Sequence, residues 1–296
     1  MHRRETVDDL YLNLPNFVEL SDPLYWLGSL SLTVAYGACF AFIIYFALTS
    51  LQLAPRYKLV AILSAVVMAS AGLSLLKEAQ LWQSAFDWNA ATGTWQPDAG
   101  RADGDTTFTN AFRYGNWTIT VPLLLTQLPI ALGLARREIH PRSIRMSVAG
   151  VLMIWTGLVG QFGEVSDLGL FNLWGIVSTL FFVWLLVEVL AVLRLGKAAA
   201  PQPLKDWSHN LLFYMLFTWG LYPIAYALPQ VFQSGEAVVA QQLIFTLADI
   251  TTKLIYGVIL SRYCLRRSAL EGYGPAIAAL DDTGTAQGPV VVEERV

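Results

Sequence analysis

The sequence predicts an all-α membrane protein: a seven-transmembrane-helix bundle with its amino terminus outside and its carboxyl terminus in the cytoplasm. Three observations predict it. Of 296 residues, 55% are hydrophobic and 14% charged, and the mean hydropathy is +0.50, whereas soluble proteins carry roughly a quarter charged residues. The apolar residues gather into seven blocks, each long enough to cross a hydrocarbon core of roughly 30 Å, which takes about 20 residues. The charges left over are sorted by sign between alternate loops, as the retention of Lys and Arg in cytoplasmic loops requires.

Residues 1–24 are polar and acidic, begin Met1-His2-Arg3-Arg4 and lack the apolar core of a cleaved signal peptide; they are read as a short extracellular segment. The spans follow at Tyr25–Leu51, Lys58–Phe86, Asn110–Leu134, Ile144–Phe162, Leu168–Leu195, Leu211–Val231 and Ala237–Leu265, so the bundle occupies residues 25–267. The loop from Asp87 to Thr109, rich in Gly, Asp, Thr and Ala, is either a small hairpin cap or a solvated loop. Residues 268–296 are read as a cytoplasmic tail, disordered after Leu280, because Val290-Val291-Val292 is too short to span anything.

Arg56, Lys58, Arg136, Arg137, Arg142, Arg145, Arg194, Lys197, Lys205, Arg262, Arg266 and Arg267 fall on one side. Glu5, Asp8, Asp9, Glu19, Asp22, Asp87, Asp98, Asp103, Asp105, Glu164, Asp167 and Glu236 fall on the other. This asymmetry orients the chain. A net charge of −3 with no basic run argues against nucleic acid, no Cys/His spacing suits a metal, and the seven spans leave no room for a soluble catalytic domain, so an enzyme is not expected. Cys39 and Cys264 lie in apolar stretches and read as small buried side chains rather than a disulfide.

Ionisable groups inside a span are costly and mark function. Asp249 and Lys253 of the seventh span are four residues apart, on one helix face and about one turn, roughly 6 Å, apart. They suit either a buried salt bridge or an amine that condenses with an aldehyde beside its counter-charge. In the third span Arg113, Asn116, Thr120 and Gln127 follow intervals of 3, 4 and 7 and share a face; Pro122 interrupts its ladder, which membrane helices tolerate when neighbours satisfy the freed group. The sixth span carries Trp219, Tyr222 and Tyr226 around Pro223. Glu78, beside Lys77 in the second span, is placed to pair with Lys77 or Arg113, and Glu188 in the fifth is either a snorkelling group or part of an inner proton route.

Together, Asp-x-x-x-Lys in the seventh span, Arg-Tyr-x-x-Trp-x-x-Thr-x-Pro-Leu-Leu-Leu in the third and Trp-x-x-Tyr-Pro in the sixth resemble the microbial (type 1) rhodopsins over roughly Tyr25 to Leu280. The resemblance implies all-trans retinal held as a covalent Schiff base on Lys253, with Asp249 as counterion. It implies that Trp117, Trp219 and Tyr222 line the polyene pocket, with Trp174 a weaker candidate and Leu124 at a colour-tuning position similar to green-absorbing members. It also implies a bacterial inner membrane, a lipid bilayer and a homo-oligomer as partners.

In proton pumps of that family three third-span positions hold a carboxylate acceptor, a threonine and a carboxylate donor. Here they are Asn116, Thr120 and Gln127, a triplet similar to the bacterial chloride-pump group. Two amides remove both proton relays, and one carboxylate at the Schiff base leaves room for an anion held by neutral donors. Arg113 would draw anions to the outer mouth, and Gln127, about 10 Å beyond Thr120 along the helix, would line the exit. The expectation is a light-driven inward chloride pump. An outward proton pump with Asp249 as its only central carboxylate is the alternative, because Glu78 would repel chloride and suits proton release; a photosensor or light-gated channel follows.

Overall fold

A computed structural model describes residues 19–97, 108–164, 167–232 and 234–281. Helix α1 (Asp22–Gln52) begins on Pro23, which costs nothing in a first turn, with Asp22 at the positive end of the helix dipole. It is followed by α2 (Lys58–Ser84), α3 (Ala111–Ala131), α4 (Arg136–Gln161), α5 (Leu168–Ala199) and α6 (Lys205–Val231). The seventh rod is continuous: α7 (Gly235–Asp249), a π-helical turn (Ile250–Ile255) and α8 (Tyr256–Leu270). Each rod packs on the next, and α1 packs back on α7, closing the ring.

Six of these rods are long and apolar enough by themselves to cross a membrane; α3 is not, because Arg113, Asn116, Thr118, Thr120, Thr126 and Gln127 all lie within its 21 residues. The largest differences from the expected boundaries are at charged ends: α4 starts at Arg136 rather than Ile144, α6 at Lys205 rather than Leu211, and the seventh rod ends at Leu270 rather than Leu265. Charge takes a helix out of hydrocarbon but does not end it, so a span bounded by charge falls short of its helix. Burial is inverted relative to a soluble protein. Val34 is 69% and Phe217 72% exposed, while Thr120, Gln127 and Gln241 are wholly buried, as lipid outside and a polar interior demand.

α3 ends on Gly133, whose φ of 64° is open to glycine at little cost. The Leu134 amide donates to the Pro129 carbonyl (3.1 Å), closing a Schellman turn. At this arginine-rich end Arg267 ties three loops together. It donates to the Leu132 carbonyl (2.6 Å), to the Ala199 carbonyl (3.4 Å) and to Glu271 (3.4 Å), which also accepts from Tyr57 Oη (2.7 Å). Helix α9 (Gly274–Asp281) packs on α1 and α8, so past residue 267 the chain finishes α8 at Leu270, turns at 271–273 and forms α9; the disorder expected of the rest of the tail falls outside the described residues.

At the opposite end, β1 (Leu20–Ser21), β2 (Phe86–Asn89) and β3 (Thr94–Pro97) form an antiparallel sheet in the order β1-β3-β2, with Leu20 opposite Trp95 and Trp88 opposite Trp95. The connection between α2 and α3 therefore begins as a hairpin cap, turned at Gly93 (φ 69°). Tyr25 stacks on Trp95 with centroids 3.7 Å apart, and Trp82 Nε1 donates to the Tyr25 carbonyl (3.1 Å), so the cap is fastened to α1 and α2 by aromatic packing.

Candidate functional site

The seventh rod supplies the centre. Lys253 sits in the π-helical turn, and Asp249 is the last residue of α7. A π turn shifts hydrogen bonds from i+4 to i+5 and leaves backbone groups to be met from outside; Tyr214 of α6 donates its hydroxyl to the Thr251 carbonyl. Lys253 Nζ is hydrogen-bonded to Asp249 Oδ1 and lies 3.4 Å from Tyr222 Oη.

Asp249 is the hub. Oδ1 also accepts from Trp117 Nε1 (2.9 Å) and Tyr222 Oη (2.9 Å), and Oδ2 accepts from Arg113 Nη1 (2.9 Å). Arg113 reaches on to Gln242 Oε1 (3.3 Å) and Thr246 Oγ1 (3.1 Å). Its Nε is 3.9 Å from Glu78 Oε2, so Glu78 is turned to Arg113 rather than to Lys77, whose ammonium lies over the Phe112 ring. Two cations and two carboxylates thus face one another, and Arg113, Glu78 and Lys253 are each at most 1% exposed. Such a set survives burial only because most of its charges are paired. Neither oxygen of Glu78 has a hydrogen-bond partner among the described residues.

The polar face read from α3 points inward: Arg113, Asn116, Thr120 and Gln127 are all buried. Asn116 Nδ2 donates to Ser70 Oγ of α2 (2.8 Å), and Thr120 Oγ1 donates to the Asn116 carbonyl (2.9 Å). Gln127 lies apart, its Oε1 3.4 Å from Ser64 Oγ. Arg145 of α4 comes within 3.9 Å of Glu188 of α5.

Beside Lys253 lies a cavity of about 120 Å³. Trp117, Leu124, Trp219 and Tyr222 line it. Trp174 does not: α5 turns Gly175, Ser178, Thr179 and Phe182 to the cavity, a helical stripe from which Trp174 is rotated by about 100°. Sequence reasoning missed Ser70, Thr246, Thr252 and Phe245. Their types are ordinary for buried helix faces, and only their convergence marks them.

Seven rods closed round an aromatic cavity, with a buried lysine on its wall and a carboxylate bonded to that lysine, define a membrane protein built to hold a covalently attached chromophore. The chain belongs to the bacteriorhodopsin-like protein family, whose sequence profile matches residues 27–266. It is similar to the green-light absorbing proteorhodopsin of Gamma-proteobacterium EBAC31A08, 25% identical over 159 residues, which are 53% of this chain and 62% of that protein. The match thus spans less than two thirds of that relative. Among solved structures it is similar to xanthorhodopsin, a light-driven ion pump with dual chromophore (29% identity, TM-score 0.79, 87% of this chain and 100% of that one). It is equally similar to a thermophilic rhodopsin (30% identity, TM-score 0.79, 86% and 99%).

Rhodopsins of this family bind retinal through a Schiff base to a lysine. The residues here fit that group. Lys253 opens on the cavity, the rings of Trp117, Trp219 and Tyr222 supply apolar walls, and Asp249 offers a carboxylate beside the amine.

Proposed function

We propose that the protein is a light-driven ion pump of a bacterial cell membrane, amino terminus outside, that moves chloride inward, with Lys253 carrying retinal and Asp249 as counterion. Retinal on Lys253 would supply a light-driven change of shape and a cationic nitrogen. The observation that carries the anion reading is the neutral third-helix wall. Asn116 and Ser70 hold each other beside Thr120, so no second carboxylate stands there to take a proton, while amide and hydroxyl hydrogens can solvate an anion. Asp249, held by four donors, stays a fixed charge, and Arg113 provides attraction from the hairpin end. Gln127 and Ser64 lie further toward the arginine-rich end and would line the way out. A homo-oligomer would suit the exposed apolar rods.

One observation favours a second reading, outward proton transport: Glu78 is wholly buried beside Arg113 with both oxygens unbonded among the described residues, a setting suited to holding and releasing a proton. Light-induced pH change in a cell suspension separates the two. Alkalinisation that needs chloride, fails in sulfate and grows with a protonophore is the expected result; acidification in both media, abolished by protonophore, would establish the proton pump instead. Lys253→Ala should give a colourless protein when retinal is added, and a visible band would refute the linkage.

A further inference from the structure

A second cavity, of about 250 Å³, lies at the arginine-rich end between α1 and α8, with Ala279 of α9 at its edge. Tyr45, Thr49, Gln52 and Arg262 give it polar walls, and Leu48 and Leu265 apolar ones. It opens on the outer surface of the bundle: Leu48 is 59% exposed, and Ile44, one turn earlier on the same face of α1, is 65% exposed. An apolar lip thus runs from the cavity toward the middle of α1.

The seventh rod fixes the depth of this groove. Gly235–Leu270 is 36 residues long, with Lys253 at its middle. Arg262 follows Lys253 by nine residues, about 13 Å along the rod, and half a hydrocarbon core is roughly 15 Å. Arg262 therefore stands where hydrocarbon gives way to headgroups, with the apolar lip below it. Several arginines of this end are engaged: Arg56 and Arg267 with Glu271, Arg142 with Glu138, Arg145 near Glu188, and Arg266 over the Trp207 ring. Arg262 has neither an acidic nor an aromatic partner among the described residues.

We infer that this groove is a site for one anionic phospholipid, its phosphate on Arg262 and an acyl chain along Leu48 and Ile44. Arginine keeps its charge at any working pH, and its planar fork of donors matches two phosphate oxygens. Tyr45 and Gln52 add a hydroxyl and an amide for the remaining headgroup oxygens. A zwitterionic headgroup brings its own cation toward Arg262 and gains less. Free phosphate meets the same donors but leaves the apolar lip uncovered, so a lipid is the occupant that matches both halves of the groove. Basic pockets between transmembrane helices take anionic headgroups on these grounds. The site is independent of which ion the protein moves.

The test is native mass spectrometry of the retinal-loaded protein released from nanodiscs of phosphatidylcholine with phosphatidylglycerol as the minor lipid. Wild type should retain one phosphatidylglycerol. Arg262→Gln should weaken that retention about fivefold or more. Leu48→Trp, which fills the mouth of the groove and leaves the charge in place, should weaken it too. Arg266→Gln removes an equal charge at the same end and should leave it unchanged. Equal losses in Arg262→Gln and Arg266→Gln would reduce the effect to diffuse surface charge and overturn the site, as would equal retention of the two lipids by wild type. A parallel arm adds inorganic phosphate to protein held in phosphatidylcholine alone. Stabilisation of the visible band against heat by phosphate, to the extent that phosphatidylglycerol gives, would show a phosphate site and overturn the lipid. Should Arg262→Gln fail to fold, Leu48→Trp decides: weakened retention supports the groove, and unchanged retention overturns it.

Discussion

Asp249 is the residue on which the site turns. It takes hydrogen bonds from Lys253, Arg113, Trp117 and Tyr222, side chains drawn from α3, α6 and its own rod. Removing its charge leaves two buried cations facing only Glu78, and breaking a buried pair in this way costs about 3–5 kcal/mol. Asp249→Asn should therefore melt at a markedly lower temperature, and its visible band should be lost at lower pH than in wild type, because the carboxylate beside the nitrogen that favours its cationic form is gone. A pH titration of the visible band checks both direction and size. The Asp249 and Lys253 pair was legible from spacing alone, since i,i+4 fixes a shared face in any helix. The donors from α3 and α6 were not, because no spacing rule links residues on different helices.

At the scale of the element, α3 and the seventh rod behave differently. The inward face of α3 follows from intervals of 3, 4 and 7, and the helix runs through Pro122, which leaves the Thr118 carbonyl without its i+4 backbone donor. The π-helical turn around Lys253 had no signature: Ile-Thr-Thr-Lys-Leu-Ile is ordinary helix composition, and the turn is held by Tyr214 from a neighbouring rod. The pairing of α1 with α2 depends on a close approach at Gly28, where an added Cβ would sit 2.4 Å from Trp82 Cζ2. Trp82 is fixed by its bond to the Tyr25 carbonyl and cannot easily yield. Gly28→Ala should cost about 1–3 kcal/mol by overpacking, read as a lower melting temperature with an unshifted absorption maximum, since the site is untouched.

For the whole molecule, the two ends of the ring are closed by different means: an aromatic-stapled sheet at one, and the Arg267 clamp at the other. Arg267 is 5% exposed, and the space above Gly133 is filled by its guanidinium, 2.6 Å from where a Cβ would stand. Arg267→Ala should leave the carbonyls of Leu132 and Ala199 short of a donor and cost about 2 kcal/mol or more, lowering the melting temperature by roughly 4–8 °C. Thermal loss of the visible band measures it; an unchanged midpoint would mean that the loops are held by other contacts.

Taken alone, the sequence determined the class, the order of the seven spans and the central lysine and carboxylate, because bilayer thickness and helical periodicity act along the chain and can be counted from it. The cofactor was implied by the resemblance of three motifs, each within a single helix, to the microbial rhodopsins. Only the tertiary structure decided that Glu78 faces Arg113 instead of Lys77, that Trp174 turns away from the cavity, and that Gln241 of α7 meets Glu164. Those outcomes depend on how rods rotate and approach one another, which is set by packing between segments distant in sequence.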